Sequence, residues 1–167
     1  ESYWCFLNKI FVLKPYTLPA EQERLIALAA QALSASAKTF TVFNNADLVF
    51  GSVKDEKGDE HTLSHGTYLL YLKSGDRTLR KNAFKGYLTQ YAKYENTLAE
   101  TINGHIQNHL FVSRARGYDS CLHAALIPYQ IDVQVYHNLI ETVRQNLSVL
   151  HRYMRLRKKI LNLDEMH

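Results

Sequence analysis

The chain is 167 residues long, 46% hydrophobic and 22% charged, the size of one domain or of one large piece of a bigger protein. That composition excludes a disordered or fibrous polymer, and a chain of this size buries roughly two-thirds of its unfolded surface on folding. Lys plus Arg number 20 against 16 for Asp plus Glu, a formal net charge of +4, too mild a balance to call for nucleic acid.

Seven glycines and three prolines are little punctuation, and long helices follow from it. Tyr3 to Leu13 is apolar and aromatic and stops near Lys14-Pro15. Thr17-Leu18-Pro19-Ala20-Glu21 is helix-start chemistry, with Thr17 or Leu18 at the cap and Pro19 in the first turn. Glu21 and Glu23 suit the positive end of the dipole, and Leu25, Ile26, Leu28, Ala29, Ala32 and Leu33 supply the apolar stripe. The pattern weakens at Ser34 to Ser36 and resumes as a short apolar segment to Phe43.

The β signal lies in the middle. Leu48 and Phe50 alternate with Val49 and Gly51, and a charged turn around Gly58 leads to a second short run. Asp47 to Val53 is therefore expected to pair antiparallel with Asp59 to Leu63, with Gly58 at positive φ. From Asp76 to about Arg116 the pattern reads as helix without a break, capped by Ser74 or Asp76 and stopped at Gly117. Phe84, Tyr87, Tyr91, Tyr94, Leu98, Ile102 and Ile106 share one sector of it. A short helix fits Ser120 to Leu126, before Pro128, and Asp132 caps a last one. On that helix Tyr136, Leu139, Ile140, Val143, Leu147, Leu150, Met154 and Leu161 align. The fold class is mainly α: long antiparallel helices with one small β-hairpin.

Cys5 and Cys121 are too few for a disulfide scaffold and point to a reducing cytoplasm. No stretch is an uninterrupted apolar run of the ~18 residues that span a membrane. Glu1 opens the chain without the basic segment of a secretory signal. The start at a residue other than Met and the end at His167 suggest a piece of something longer.

A zinc peptidase helix needs His-Glu-x-x-His, which puts two imidazoles on one face and a carboxylate beside the first to activate water. Two pairs have the spacing, His61 with His65 and His105 with His109, yet Thr62 and Ile106 stand where Glu is required. His105 and His109 fall in the apolar stripe and read as core histidines with hydrogen-bond partners. His61 and His65, beside Asp59 and Glu60, read as a solvated hairpin edge, where stray zinc would bind weakly. Cys121 and His123 are two residues apart, a spacing that points them away from each other on a helix, so Cys121 reads as a structural thiol. No Gly-rich phosphate loop is present. In the basic run His151 to Lys159, Arg152, Arg155 and Lys159 form an ordinary solvated face, while Arg157 and Lys158 flank the stripe in buried or partner-facing positions. Leu156 and Ile160 make that helix end apolar on two sides, as if wrapped by something outside the chain.

Several blocks together resemble the oligoendopeptidase F group of thimet-like (M3) zinc peptidases. They are Phe43 to Phe50, Val53 to Gly58, Leu63 to Gly66, Asp76-Arg77 through Phe84, Asn96 to Ala99, Ala115 to Tyr118, and Leu150 through His167. Gly75 and Asn82 are small departures. The resemblance covers nearly the whole chain and implies a cytoplasmic zinc metalloendopeptidase that cuts oligopeptides in a channel enclosed by helices. It implies that residues 1–66 are an N-terminal helical domain with the hairpin, and that 67–167 begin the peptidase region. The family's His-Glu-x-x-His and its downstream Glu lie beyond His167. No catalytic residue, zinc ligand or substrate-binding residue is therefore carried onto this chain, and its expected role is non-catalytic channel wall. Expected partners are oligopeptides and the C-terminal catalytic part, with neither nucleic acid nor membrane. The alternative is a stand-alone helical interaction module without enzymatic activity.

Overall fold

A computed structural model describes residues 3–165. The fold is mainly α with one small antiparallel hairpin and divides into two compact units, residues 19–112 and residues 1–18 with 113–167.

The first unit begins with α2 (Ala20–Leu33) and α3 (Ala35–Val42), followed by a wide π-type turn at Phe43–Asp47. Strands β1 (Ser52–Lys54) and β2 (Glu60–Thr62) come next, then α4 (His65–Leu72), α5 (Arg77–Ala92) and α6 (Glu95–Ala115). The helix-start chemistry operates one residue later than expected. Pro19 itself is the cap of α2, and the Thr17 hydroxyl donates backward to the Leu13 carbonyl at 3.2 Å. With Pro19 at the cap position, no side chain caps α2.

The hairpin forms where the alternation puts it, but its paired part is shorter than the expected strands. Ser52 faces Thr62, Val53 faces His61 and Lys54 faces Glu60, with one further bond from the Leu63 amide to the Gly51 carbonyl. Gly58 has φ +91°, a conformation that costs glycine nothing and a side-chain-bearing residue strain. Asp47 belongs instead to the π-type turn, so the first strand starts five residues late. Between the turn and β1, Leu48 and Phe50 still alternate inward, 8% and 6% exposed, against Val49 at 74%. Burial here follows the pleat even without a pairing partner.

Helix α4 was not expected. Ser64 caps it with a reciprocal box, its hydroxyl accepting from the Thr67 amide while the Thr67 hydroxyl accepts from the Ser64 amide. The stretch 76–116 is two helices, not one. The Tyr94 amide bonds to Tyr91 and the Leu98 amide to Tyr94, so the chain tightens at Lys93-Tyr94 and restarts. No glycine or proline marks the break. Tyr94 instead packs edge-on against Phe43 at 4.9 Å, a contact made across the fold.

Leu48, Phe50, Val53, Leu63, Leu79 and Ala83 form the buried apolar cluster, with Tyr68, Tyr71, Tyr87 and Tyr91 packed around it. Gly86 lets α5 rest directly on the hairpin, because a Cβ there would lie 3.1 Å from Val53 Cγ1 and 3.2 Å from Leu63 Cδ2. Asp76 caps α5 and also accepts from the Glu56 amide at 2.8 Å, and the Asn82 amide donates to the Lys54 carbonyl at 2.7 Å. Helix and hairpin are thus joined by polar bonds at the edges of an apolar contact.

In the second unit, α1 (Trp4–Leu13) lies against the 3₁₀ turn Ile127–Tyr129, where the Asn8 side chain donates to Gln130 at 2.8 Å. The Arg116 guanidinium donates to the Tyr16 carbonyl, and the Tyr16 and Tyr118 rings stack at 4.1 Å. Gly117 ends the preceding helix at φ +74°. Helix α7 (Cys121–Leu126) follows Ser120, which caps it where the sequence reading began the helix itself, and α8 (Val133–Ile160) is capped by Asp132, as the sequence predicts.

The run from Ala20 to Asp47 is long and apolar enough, by length and composition, to cross a membrane. That qualifies the expectation of no such segment. The run opens with Glu21, Glu23 and Arg24 and is interrupted at Ser34.

Candidate functional site

The densest polar grouping surrounds His65, at the start of α4. Its Nδ1 lies 2.7 Å from the Tyr87 hydroxyl, and its Nε2–H donates to the Asn44 carbonyl at 2.8 Å. The carbonyl partner fixes a proton on Nε2, and Nδ1 shares its hydrogen bond with the Tyr87 hydroxyl. The Tyr91 hydroxyl donates to Asn44 Oδ1 at 2.6 Å, which closes the loop of residues. Tyr87 is held between Tyr68 and Phe50, at 3.9 and 4.4 Å between ring centroids. Burial pushes the Tyr91 hydroxyl up to about 12, with the Tyr87 hydroxyl adding to the shift. Such a phenol stays neutral and serves as a donor. The chemistry available is that of a clasp between the π-type turn, α4 and α5.

His61 belongs to a different network. Its Nε2 lies 2.9 Å from Asp55 Oδ2, while Asp55 Oδ1 accepts from the amides of Lys57 and Asp59. The His61 bond and those two amides hold the Asp55 carboxyl below the usual carboxylate value. Asp76 is lowered likewise, chiefly by the Glu56 amide and then by those of Leu79 and Thr78. Glu60 turns instead to Ser52 and Lys54. The edge is solvent-facing as expected, with His65, Asp59 and Glu60 exposed, and within it the two histidines hold separate partners.

His105 and His109 are exposed, not core-facing. Their rings lie 4.3 Å apart at 57°, and Ile102 and Ile106 beside them are 62% and 48% exposed. Of the stripe read along 84–106, Tyr87, Tyr91 and Leu98 are half-buried and the rest is exposed. Among the described residues no three His, Cys, Asp or Glu side chains are grouped to hold a metal ion.

Cys121 is a free, half-buried thiol. The His123 ring packs edge-on to Tyr16 and Tyr118, at 5.6 and 5.9 Å. Its Nδ1 lies 3.2 Å from Asp119 Oδ2 at an angle that makes no hydrogen bond. Beside it is an open depression of about 570 Å³ lined by Val12, Asp119, Gln130 and Asp132 among others. No nucleophile–base pair is assembled there.

The basic residues of α8, from His151 to Lys159, are exposed on every side, together with Leu156 and Ile160. Arg157 and Lys158, expected in buried or partner-facing positions, are open within this chain. Sequence reading missed the Asn44–His65–Tyr87–Tyr91 clasp. The i, i+4 spacing of Tyr87 and Tyr91 was its local trace, but their partners lie 22 and 47 residues away.

The model of peptidase family M3 matches residues 70–167, and that of oligopeptidase F matches residues 1–50. Oligopeptidase PepF of Bacillus subtilis is 43% identical over 161 residues, which are 96% of this chain and 24% of that protein. Group B oligopeptidase PepB of Streptococcus agalactiae is 39% identical over 99% of this chain and 28% of its own length. The crystal structure of oligoendopeptidase-F from Enterococcus faecium superposes with a TM-score of 0.91 at 41% identity, covering 99% of this chain and 32% of that one. The chain thus spans about a quarter of the length of the curated relatives it matches.

Proposed function

Because the chain belongs to peptidase family M3, we propose that it is a non-catalytic part of a cytoplasmic zinc metalloendopeptidase that hydrolyses oligopeptides. Its helices form wall around the substrate channel, residues 1–66 as an N-terminal domain and 67–167 as the beginning of the peptidase region. The observation that carries this reading is a likeness that runs end to end along this chain yet takes up only 24% to 32% of each partner. Nothing favours the stand-alone interaction module over it.

In this reading zinc, its ligands and the carboxylate that activates water all come from outside residues 1–167. The chain's own contribution is rigidity. The clasp at His65 and the caps at Ser64 and Asp76 hold helix against hairpin, so that a wall keeps its shape when a peptide presses on it. Peptide hydrolysis by zinc needs three protein ligands and a bound water whose pKa falls to about 7.

The test is cleavage of a quenched-fluorescent oligopeptide, with zinc and with a chelator. The chain alone is expected to show no turnover, and chelator-sensitive turnover is expected once a complementing C-terminal part is supplied. Turnover by the 167-residue chain alone, abolished by His105→Ala or His109→Ala, would overturn the reading.

A further inference from the structure

Building on that reading, we propose that α8 is a docking seam for a helix of the catalytic portion of an M3 peptidase. The occupant carries its own apolar stripe with an acidic rim. Among the described residues α8 is the longest helix, 28 residues, and not one of them is buried. Tyr136, Ile140, Val143, Leu147, Leu150 and Met154 follow one another at spacings of four and three. That alternation keeps a seam facing a neighbouring helix along several turns. Val143 is 54% exposed and Leu150 51%, and a contiguous apolar face of this length is uncommon on a soluble monomer.

Two observations choose the occupant. The Enterococcus faecium structure accommodates 99% of this chain, α8 included, in 32% of its own, so most of the polypeptide that could cover the face lies in the remaining two-thirds. Charge supplies the second. Arg157 and Lys158 flank the seam at its rim, no acidic residue lies from Leu147 to Ile160, and Glu141, the one acid in the whole helix, falls on the far side. A second copy of the same helix would bring like charge to that rim, whereas an acidic one complements it.

The experiment replaces the matched part of Enterococcus faecium oligoendopeptidase-F with this chain and compares Val143→Asp, Leu150→Asp and, on the opposite face of α8, Gln145→Asp. In the chimera the two seam variants should lower the melting temperature by several degrees, because a carboxylate is then trapped in an apolar interface, and Gln145→Asp should not. In the isolated 167-residue chain all three should leave helix content and denaturation midpoint unchanged. A chimera that tolerates both seam variants would overturn the proposal. So would an unmutated chimera that does not fold, since the seam would then not accept this helix. A discrete dimer of the isolated chain that Val143→Asp dissociates would overturn it too, in favour of a second copy. A folded chimera without peptidase activity, yet sensitive at the seam, would count against the functional reading and leave the docking seam standing.

Discussion

The hairpin region and α8 are both rich in apolar side chains, yet they end in opposite states. Leu63 is 3% exposed and Leu79 7%, while Leu139 on α8 is 62% exposed. The hairpin is short, only three paired residues per strand, but α4 and α5 fold back over it within 30 residues of sequence. Helix α8 has a longer and more regular stripe, and among the described residues none of its side chains is buried. Amphipathicity states which face of an element wants cover. Whether cover exists depends on what chain is available to supply it.

Removing side chains at the two places should therefore give very different costs. Leu63→Ala should destabilise the chain by about 2–5 kcal/mol, the range for a truncated core leucine. Leu139→Ala should stay within about 0.5 kcal/mol, as expected at the surface. Urea denaturation followed by circular dichroism measures both, and equal losses would break the comparison.

The close approach of α5 to the hairpin can be sharpened at Gly86. Gly86→Leu would drive methyl groups into Val53 and Leu63, which already bound the site at 3.1 and 3.2 Å. Overpacking of this kind costs about 1–3 kcal/mol, read as a lower denaturation midpoint. Larger side chains anywhere on the exposed face of α8 should cost nothing measurable.

A smaller loss is expected from Ser64→Ala, which removes half of the reciprocal cap on α4. Caps of this type are worth about 1 kcal/mol. The same measurement on Ser64→Thr should recover most of it, because the hydroxyl is restored.

The smallest effect is acid sensitivity confined to the hairpin. Asp55 and Asp76 are held below the ordinary carboxyl value in the fold. The stability they add is therefore present above the unfolded value of about 3.9 and is lost as pH falls through their lowered native values. Amide exchange at Glu56, Lys57 and Asp59, which these carboxylates accept from, should accelerate there before exchange within α5. Asp55→Asn should remove the Asp55 share of that dependence.

Local chemistry made much of this fold readable in advance. Asp76 and Asp132 cap the helices they precede, and Gly58 and Gly117 take the positive φ their turns demand. Each such outcome depends on a few neighbouring backbone groups, and a local sequence contains all of them. The spacing of Leu48 and Phe50 likewise announced which side of the chain turns inward.

Tertiary structure decided the rest. The break at Lys93-Tyr94 has no breaker residue, and Tyr94 there meets the Phe43 ring, about 50 positions earlier. The commitment of His65 to Tyr87 and Asn44, and of His61 to Asp55, converted a spacing that suited a metal into two unrelated clasps. The exposure of His105, His109, Val143 and Leu150 was equally invisible, since a stripe on a helix looks the same whether or not its partner is present. Caps and turns are settled by atoms within a few residues, and sequence alone determined them. Burial and side-chain partnership are settled by surfaces that meet only after the chain has folded back on itself, and those the sequence could not fix.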